Sequence, residues 1–524
     1  MADEDIRDAE DVDRPSEIFP SITTPTELKR HARPHRGMDV LPSSSFETGR
    51  FGRMFRHLPV FEQQLQQLRK LAKKMVPAGP PRDNPDIPSG YTYLGQFIDH
   101  DITFDPVSSL QRQNDPDALH NFRTPRFDLD SVYGRGPADQ PYMYEQVEGK
   151  TLLKLGERVD DFGDEASAGP DLPRNEPRRR GKKDIFFGRA LIGDPRNDEN
   201  IIVSQLHLTF LKFHNKVIEL VASTTPLRDD NLFKEAQRLV RWHYQWVVVH
   251  DFLRRIVGDA VVDDILRHET YAAGDGGQET TIVRPRFLFY EPREQAFMPV
   301  EFSVAAYRFG HSMIRGRYHI NTFVRDARGD QGPIPIFGDE EPPDELSNLN
   351  GFRRLPPQWG IEWKFFFDMP GADEQPQPSL RIDPLLAGPL GKLPTRIADR
   401  PRSLAQRNLE RGLRLGLPAG TTVARAMCID PLDAGQLDLA DVGDELALHP
   451  PLWYYVLKEA DVLADGRKLG PVGGRIVAEV LLGLLAKDPL SYLSVQPCWR
   501  PEAPLARDDG TFDMPQLIRF AEQP

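Results

Sequence analysis

The chain has 524 residues and a formal net charge of −13 at pH 7, which argues against proteins that bind nucleic acids or anionic membranes and favours solubility. Hydrophobic residues make up 39% and charged residues 28% of the sequence, so we expect most of the chain to fold. The only cysteines are Cys428 and Cys498, so one disulfide bond could form, but a framework of disulfides is excluded.

The first 50 residues show no sustained hydrophobic period and are predicted to form a flexible N-terminal arm. They begin with the acidic MADEDIRDAEDVD and then become rich in proline, serine and histidine. This start has no apolar run, so it does not resemble a signal peptide. The most apolar later stretch, VAEVLLGLLA, is too short to span a bilayer. Together with the few cysteines, these features predict a cytoplasmic protein with no transmembrane segment.

Helical periodicity dominates the rest of the chain. Apolar residues recur at helical spacing in six segments: 51–76, 91–104, 201–222, 233–258, 301–318 and 473–486. Residues 107–185 are predicted to be mostly loop, and residues 330–400 are rich in proline and glycine. Strand signals are scarce. The sequence therefore predicts a mainly α fold, with one large helical domain over 51–510, long Pro/Gly-rich loops, little β structure, and a C-terminal tail, 511–524.

The stretch GQFIDHDITFDP, residues 95–106, gathers several functional side chains within one predicted helix. Gln96, Asp99 and His100 are spaced three and four residues apart, so they share one face. Asp101 is rotated by about 100° and faces elsewhere. The segment can therefore serve two sites at once. The alternative is a helix with a capping aspartate and a hydrogen-bonded core histidine.

The stretch TPRFDLDSVYG, residues 124–134, alternates oxygen-bearing side chains. Thr124, Asp128 and Asp130, with the backbone carbonyl of Arg126, are the kind of ligands that Ca²⁺ prefers. They are too few to bind the ion alone, and Asp101 could complete the set. The alternative is a polar turn between helices.

Two further segments carry candidate functional residues. GDPRNDEN, residues 193–200, places Arg196 and Glu199 before a long helix, although helix capping by Asp194 would explain the same pattern. AYRFGHSMIRGRY places His311 on an apolar segment three residues after Arg308. A buried, hydrogen-bonded histidine is the alternative there, and His250 is a competing candidate.

The chain contains five motifs in this order: GQFIDHD, TPRFDLDSVYG, RNDE, RFGH and RNLERG. Together they resemble the motifs of the animal-type haem peroxidases, in the peroxidase–cyclooxygenase superfamily. This is the family of myeloperoxidase, lactoperoxidase and their bacterial relatives. The resemblance extends from about residue 88 to about residue 500. It implies a helical haem peroxidase catalytic domain folded around a buried haem.

The resemblance also implies a role for each matching residue. The implied catalytic residues are His100, Gln96 and Arg196. The implied iron ligand is His311, with Asn408 as its hydrogen-bond partner. Asp99 and Glu199 are implied candidates for ester links to haem b. The implied neighbours of a haem propionate are Arg308, Arg411, Thr103 and Asp105. The implied calcium ligands are Asp101, Thr124, Arg126, Asp128 and Asp130.

The implied activity is the oxidation of a small organic reductant or a halide by hydrogen peroxide, through a ferryl intermediate. Asn200 replaces the methionine that forms a third haem link in myeloperoxidase, so no such link is expected. The first alternative is a fatty-acid dioxygenase, whose radical-forming tyrosine would occupy the position of Arg308. Tyr307 is one residue away, so we expect it to point in a different direction. The second alternative is a non-catalytic, calcium-stabilised haem protein or scaffold. The oligomeric state is left open.

Overall fold

The computed structural model of the protein describes residues 49–76, 79–103, 120–121, 123–156, 170–175, 188–271, 280–292, 295–322, 324, 332–338, 347–356, 358–395, 397–398 and 400–523. The predicted arm, 1–50, lies outside these ranges except for its last two residues, and so does Asp105. Over the described ranges, no helix is both long and apolar enough to cross a membrane. Cys428 and Cys498 are exposed, and no disulfide bond joins them.

Helices form most of the regular structure in the described ranges. The α-helices are α1 (Leu65–Lys74), α2 (Gly90–Ile102), α3 (Asp130–Tyr133), α4 (Ile201–Thr224), α5 (Asp229–Val247), α6 (Arg254–Val257), α7 (Asp259–Ile265), α8 (Gly388–Gly391), α9 (Leu404–Arg414), α10 (Gly420–Ala426), α11 (Ala434–Leu437), α12 (Asp444–Leu448), α13 (Leu452–Ala464), α14 (Pro471–Lys487), α15 (Tyr492–Val495) and α16 (Met514–Ala521). Short 3₁₀ turns cover Pro141–Met143, Pro195–Asp198, Ala306–His311 and Trp363–Phe365, and π-helical turns cover Val248–Leu253 and Glu301–Ala305.

In the described part of the chain, the strands are short and pair into five small sheets. They are β1 (Gly49–Gly52), β2 (Asp83–Pro88), β3 (His120–Asn121), β4 (Tyr144–Val147), β5 (Lys150–Leu153), β6 (Leu266–Tyr271), β7 (Thr280–Pro285), β8 (Met298–Pro299), β9 (Arg317–Tyr318), β10 (Ile334–Pro335) and β11 (Pro378–Leu380). β1 lies between β3 and β8, and the other pairs are β2–β11, β4–β5, β6–β7 and β9–β10. The prediction of a mainly α fold with little β structure is confirmed.

The core is centred on two apolar helices, α4 and α14. In α14 the buried positions run almost without interruption from Val472 to Leu485, because a helix that is apolar on every side must be covered on every side. α4 packs against α2, α5 and α16. Asn200 caps α4, since its side chain accepts a hydrogen bond of 2.9 Å from the Val203 amide. α2 is therefore packed directly against one of the two core helices.

A glycine in α14 gives a direct test of this packing. A Cβ atom at Gly483 would lie 2.2 Å from Cδ1 of the buried Tyr290 ring. We expect Gly483→Ala to lower the free energy of unfolding by about 1–3 kcal/mol, since overpacking outweighs the better helix propensity of alanine. Gly474 lies in the same helix, and a Cβ there would be 3.6 Å from its nearest neighbour. In thermal melts, Gly474→Ala should therefore not destabilise. Equal melting temperatures for the two variants would contradict this account.

Four of the six predicted helices agree with the structure. Residues 91–104, 201–222, 233–258 and 473–486 correspond to α2, α4, the run from α5 through the π-helical turn to α6, and α14. The segment 51–76 is predicted to contain a helical pattern, and it contains a helix over the shorter range Leu65–Lys74. Pro59 explains why the helix does not extend to the start of the segment, because proline and the residue before it disfavour helix.

Residues 301–318 do not form the predicted α-helix. A π-helical turn is followed by a 3₁₀ turn, and Ala305 at their junction has φ −122° and ψ −76°, outside the helical region. Residues 107–185, predicted as mostly loop, contain the β4–β5 hairpin. The predicted C-terminal tail contains α16, whose residues are mostly buried and which packs against α4. The helical core therefore extends beyond residue 510.

Candidate active site

A cavity of about 560 Å³ lies between α2, the turn Pro195–Asp198, the turn Ala306–His311 and α9. Much of its wall is apolar, including Phe252, Phe309, Ile336, Phe337, Leu390 and Leu393. Twelve of the residues singled out in the sequence line it: Gln96, Asp99, His100, Thr103, Arg196, Glu199, Asn200, Tyr307, Arg308, His311, Asn408 and Arg411. Segments far apart in the chain thus bring their functional side chains to one enclosed, largely apolar space.

α2 presents its polar residues on two faces, as its spacing predicts. Gln96, Asp99 and His100 line the cavity, whereas Asp101 points to the loop that precedes α3. Its carboxylate accepts hydrogen bonds from the Ser131 hydroxyl, at 3.1 Å, and from the Leu129 amide, at 3.2 Å. Gly90 begins the helix where a Cβ atom would lie 2.5 Å from the Phe366 carbonyl oxygen, so glycine permits this close approach.

His100 is buried, and one of its ring nitrogens, Nδ1, has a hydrogen-bond partner. Nδ1 lies 2.7 Å from Oδ1 of Asn197, and Nε2 lies 3.8 Å from Oε1 of Glu199. Burial, and then the positive charge of Arg196, lower the pKa of His100 below its usual value. The imidazole is therefore neutral near pH 7 and can accept a proton.

Arg196 lines the cavity and also holds the end of α2 in place. Its Nη2 donates to the backbone carbonyls of His100, at 2.9 Å, and Thr103, at 2.6 Å. The same nitrogen donates to Asp194 at 2.8 Å. Burial alone would raise the pKa of Asp194, but Arg196 and Arg123 lower it far below its usual range. Asp194 also accepts from the Arg196 amide at 2.8 Å, so the capping role weighed for it applies to the 3₁₀ turn.

Gln96, Glu199 and Asn200 form a connected polar edge of the cavity. The Gln96 amide donates to the Glu199 carboxylate through a short hydrogen bond. Asn200 donates to Oε1 of Gln96 at 3.1 Å. Glu199 is thus held by the Gln96 amide, and its Oε1 lies 3.8 Å from Nε2 of His100.

His311 lies at the end of the 3₁₀ turn on another part of the cavity wall. The amide nitrogen of Asn408, on α9, lies 2.8 Å from His311 Nδ1. This contact leaves Nε2 as the nitrogen available to a ligand. Burial, and then the charge of Arg308, lower the pKa of His311 to about 3, so its imidazole is neutral. The turn itself is tied to α13, because the Trp453 indole donates to the Arg308 carbonyl at 3.2 Å.

Arg308 connects the two walls of the cavity. Its Nη1 lies 3.5 Å from Oδ2 of Asp99. Thr103 donates to the same carboxylate at 2.9 Å. Burial alone would raise the pKa of Asp99. The charge of Arg308, helped by Arg196, has the larger effect and lowers this pKa below its usual value. Asp99 is therefore held as an anion.

Tyr307 is one of the residues that line the cavity. The expectation from the sequence was that it points in a different direction from a tyrosine at position 308. Its hydroxyl donates to the Gly95 carbonyl at 3.2 Å, and its ring stacks on Phe302 at 4.6 Å.

His250, the competing candidate for His311, lies elsewhere. It stacks on Trp246 with ring centroids 3.7 Å apart and contacts the Tyr492 hydroxyl.

Three buried carboxylates meet where α2 packs against the start of α3: Asp101 on α2, Asp128 in the loop before α3, and Asp130 at the first position of α3. Burial, and then the charge of Asp130, raise the pKa of Asp101 to about 7 and that of Asp128 well above its usual value. Thr124 donates to Asp128 at 2.6 Å, and Oδ2 of Asp130 is buried with no hydrogen-bond partner within the described ranges. Those ranges hold no group of three or more acidic, histidine or cysteine residues already arranged to bind a metal. A cation would therefore require these side chains to turn towards it.

Asn197 is a site residue that the sequence reasoning missed. It lies directly after Arg196 and contacts His100. Its place inside the RNDE motif was the only available signal, because the contact joins segments far apart in the chain. Arg407 also lines the cavity and was not singled out.

Part of the chain is similar in sequence to known peroxidases. Residues 108–337 match the sequence model of the animal haem peroxidase family, a range that includes Arg196 and His311. A peroxidase-like protein from Margaritifera margaritifera is 33% identical over 150 residues, which is 28% of this chain and 16% of that protein. The chain covers less than a fifth of the length of several such curated relatives.

Two solved structures share the fold over most of their length. Peroxidase A from Dictyostelium discoideum aligns with a TM-score of 0.55 at 16% identity, over 91% of this chain and 93% of that one. A fatty acid alpha-dioxygenase from Arabidopsis thaliana aligns with a TM-score of 0.52 at 14% identity, over 92% of this chain and 85% of that one. Residues 108–337 therefore match the animal haem peroxidase family, and the chain shares the helical fold of both solved structures.

Proposed function

We propose that the protein is a haem peroxidase that uses hydrogen peroxide to oxidise small organic reductants or halides. The observation that carries this proposal is the convergence of two neutral imidazoles, His100 and His311, on one largely apolar cavity. Each imidazole has a hydrogen-bond partner at Nδ1. Such second contacts orient histidines for ligand binding or proton transfer.

The cavity residues fit haem b. His311 offers a neutral nitrogen for iron, and the arginines at 308, 407 and 411 offer positive charge for propionates. A half-turn of the Asn408 amide would place its oxygen where it accepts the Nδ1–H of an iron-bound imidazole. Asp99 and Glu199 are the carboxylates that could form ester links to the haem. When bound, the haem would accept oxidising equivalents from peroxide and pass them to the donor.

The protein's own residues would move the proton of the peroxide. Nε2 of His100 would take a proton from one peroxide oxygen and return it to the other, so that one imidazole acts first as base and then as acid. Arg196 would place positive charge near the oxygen that departs. Because Arg196 also holds the His100 carbonyl, it keeps the imidazole and the guanidinium in a fixed relation. Gln96 would hold Glu199 in place at the polar edge of the cavity through their hydrogen bond.

Fatty-acid dioxygenation is the second candidate, and Tyr307 is the observation that favours it, because its ring lines the cavity. The experiment is to load the protein with haem and compare peroxide-dependent oxidation of a phenol or bromide with oxygen uptake on linoleate. We expect a Soret band and the first activity. Oxygen uptake without peroxidase activity would support the dioxygenase instead. A protein that takes up no haem would support the non-catalytic scaffold.

We also propose that Ca²⁺ binds Asp101, Asp128 and Asp130, with Thr124 and the Arg126 carbonyl. A cation would relieve the repulsion among three buried carboxylates. It would also fix Asp101 and hence the adjacent His100.

Removal of calcium should lower the stability of the protein. We expect the melting temperature to fall after treatment with a chelator and to recover with CaCl₂, since an ion at 100 times its dissociation constant contributes about 2.7 kcal/mol. Asp128→Asn should weaken this response, and the exposed control Asp438→Asn should keep it. A wild-type melting temperature that does not respond to chelator or calcium would refute the site.

A further inference from the structure

Asn197 lies between two buried histidines. Its Oδ1 is 2.7 Å from Nδ1 of His100, and its Nδ2 is 3.0 Å from Nδ1 of His207. Asn197 and His207 have no exposed surface. A single amide therefore joins the histidine of the cavity to a histidine of α4 that does not line the cavity.

His207 can act only as a neutral partner. Burial lowers its pKa to about 3, although the charge of Asp194 opposes the shift. A neutral imidazole has one N–H and one lone pair. Nε2 of His207 has no hydrogen-bond partner within the described ranges, and Phe97 packs against the ring in a T-shaped arrangement at 6.1 Å. Asn197 is thus the polar contact that His207 makes through Nδ1.

The two ends of an amide are chemically different, so its orientation has consequences for both rings. When Nδ2 donates to the lone pair of His207, Oδ1 faces His100 and accepts the proton of its Nδ1. Nε2 of His100 then carries the lone pair. With the amide turned over, Nδ2 would donate to His100, the proton would move to Nε2, and that nitrogen could no longer accept one from a substrate.

We propose that Asn197, oriented by His207, is a positioning residue that keeps Nε2 of His100 as the proton-accepting nitrogen. The inference rests on the proposed peroxidase function and adds two residues to it that do not touch the substrate. In this proposal His207 carries its proton on Nε2, so its Nδ1 accepts from Nδ2 of Asn197 and keeps the amide oxygen towards His100. The alternative is that Asn197 and His207 serve packing alone. In that case the effect of removing His207 on the reaction rates would not depend on the orientation of the amide.

The test uses four variants of the full-length, haem-loaded protein. Asn197→Leu removes the acceptor at His100, and Asn197→Asp keeps an oxygen there. His207→Phe removes the lone pair that orients the amide, and it is made both alone and together with Asn197→Asp. Two rate constants are measured: that of the reaction with hydrogen peroxide, and that of cyanide binding. Hydrogen cyanide must lose its proton to bind, so the second rate reports proton acceptance without turnover.

We expect Asn197→Leu to lower both rate constants about 10–100-fold while the Soret band is kept, as is typical when the partner of a functional histidine is removed. Asn197→Asp should stay near the wild-type values. His207→Phe should slow both reactions in the wild-type background. It should have no effect in the Asn197→Asp background, because a carboxylate presents an oxygen in either orientation. This non-additivity is the signature of coupling between the two residues.

Two results would overturn the inference alone: wild-type rates in Asn197→Leu, or an equal loss from His207→Phe in both backgrounds. The second result would assign His207 to packing. This comparison uses only the wild-type and Asn197→Asp backgrounds, so it can be measured even if Asn197→Leu folds poorly. A wild-type protein that binds haem but does not react with peroxide would instead overturn the proposed function itself.

Discussion

His311→Ala is expected to abolish haem binding, so that the purified variant shows no Soret band after loading. His311 is the cavity imidazole whose Nδ1 is engaged by Asn408, and its neutral state leaves a lone pair for iron. Alanine offers no ligand atom, and the apolar wall that remains cannot replace an iron–nitrogen bond. Absorption spectroscopy of the haem-loaded protein measures the effect directly.

Two controls separate this loss from misfolding. His319→Ala changes an exposed histidine close by in the chain and should bind haem as the wild type does. Free imidazole added to His311→Ala should restore part of the Soret band, since it can enter the space that the side chain left. Haem binding by His311→Ala at the wild-type level, without imidazole, would rule out His311 as the iron ligand.

The face of α2 could be predicted from the sequence because it depends on local geometry. A helix fixes which side chains share a face, so Gln96, Asp99 and His100 had to point together once the helix formed. Asp101 had to point away, towards the loop of Asp128 and Asp130, as it does. The ordered motifs then pointed to the family whose sequence model matches residues 108–337, because five short patterns in one order are far more specific than any one of them.

The turn that carries His311 could not be predicted from periodicity. Residues 301–318 show helical spacing, but tertiary contacts impose a π-helical turn and then a 3₁₀ turn. The Trp453 indole on α13 binds the Arg308 carbonyl, and Arg308 reaches Asp99 on α2. These partners are distant in the chain, and local pattern gives no access to them.

The same limit explains why Asn197 was missed. Its role lies in contacts with His100 and His207, and neither is apparent from its neighbours in the sequence. The cytoplasmic location and the flexible N-terminal arm depend on composition alone and stay predictions.

His100→Leu is expected to leave haem binding intact and to slow the reaction with hydrogen peroxide by about 10²–10⁴-fold. This is the range typically lost when a positioned acid–base group is removed. Leucine is apolar and of similar size, so it should preserve the dry wall of the cavity. Arg196 should still stabilise charge, so a residual rate is expected. The measurement is the rate of the Soret change after rapid mixing with peroxide.

The matched control for this prediction is His250→Leu, which makes the same substitution at a histidine that stacks on Trp246 outside the cavity. It should react with peroxide at the wild-type rate. Cyanide binding should slow in His100→Leu but not in the control, because hydrogen cyanide also has to give up a proton. If His100→Leu kept both rates within a few-fold of wild type, the proton would have to go to another group. Glu199, whose Oε1 lies 3.8 Å from Nε2 of His100, is the nearest charged candidate in this network.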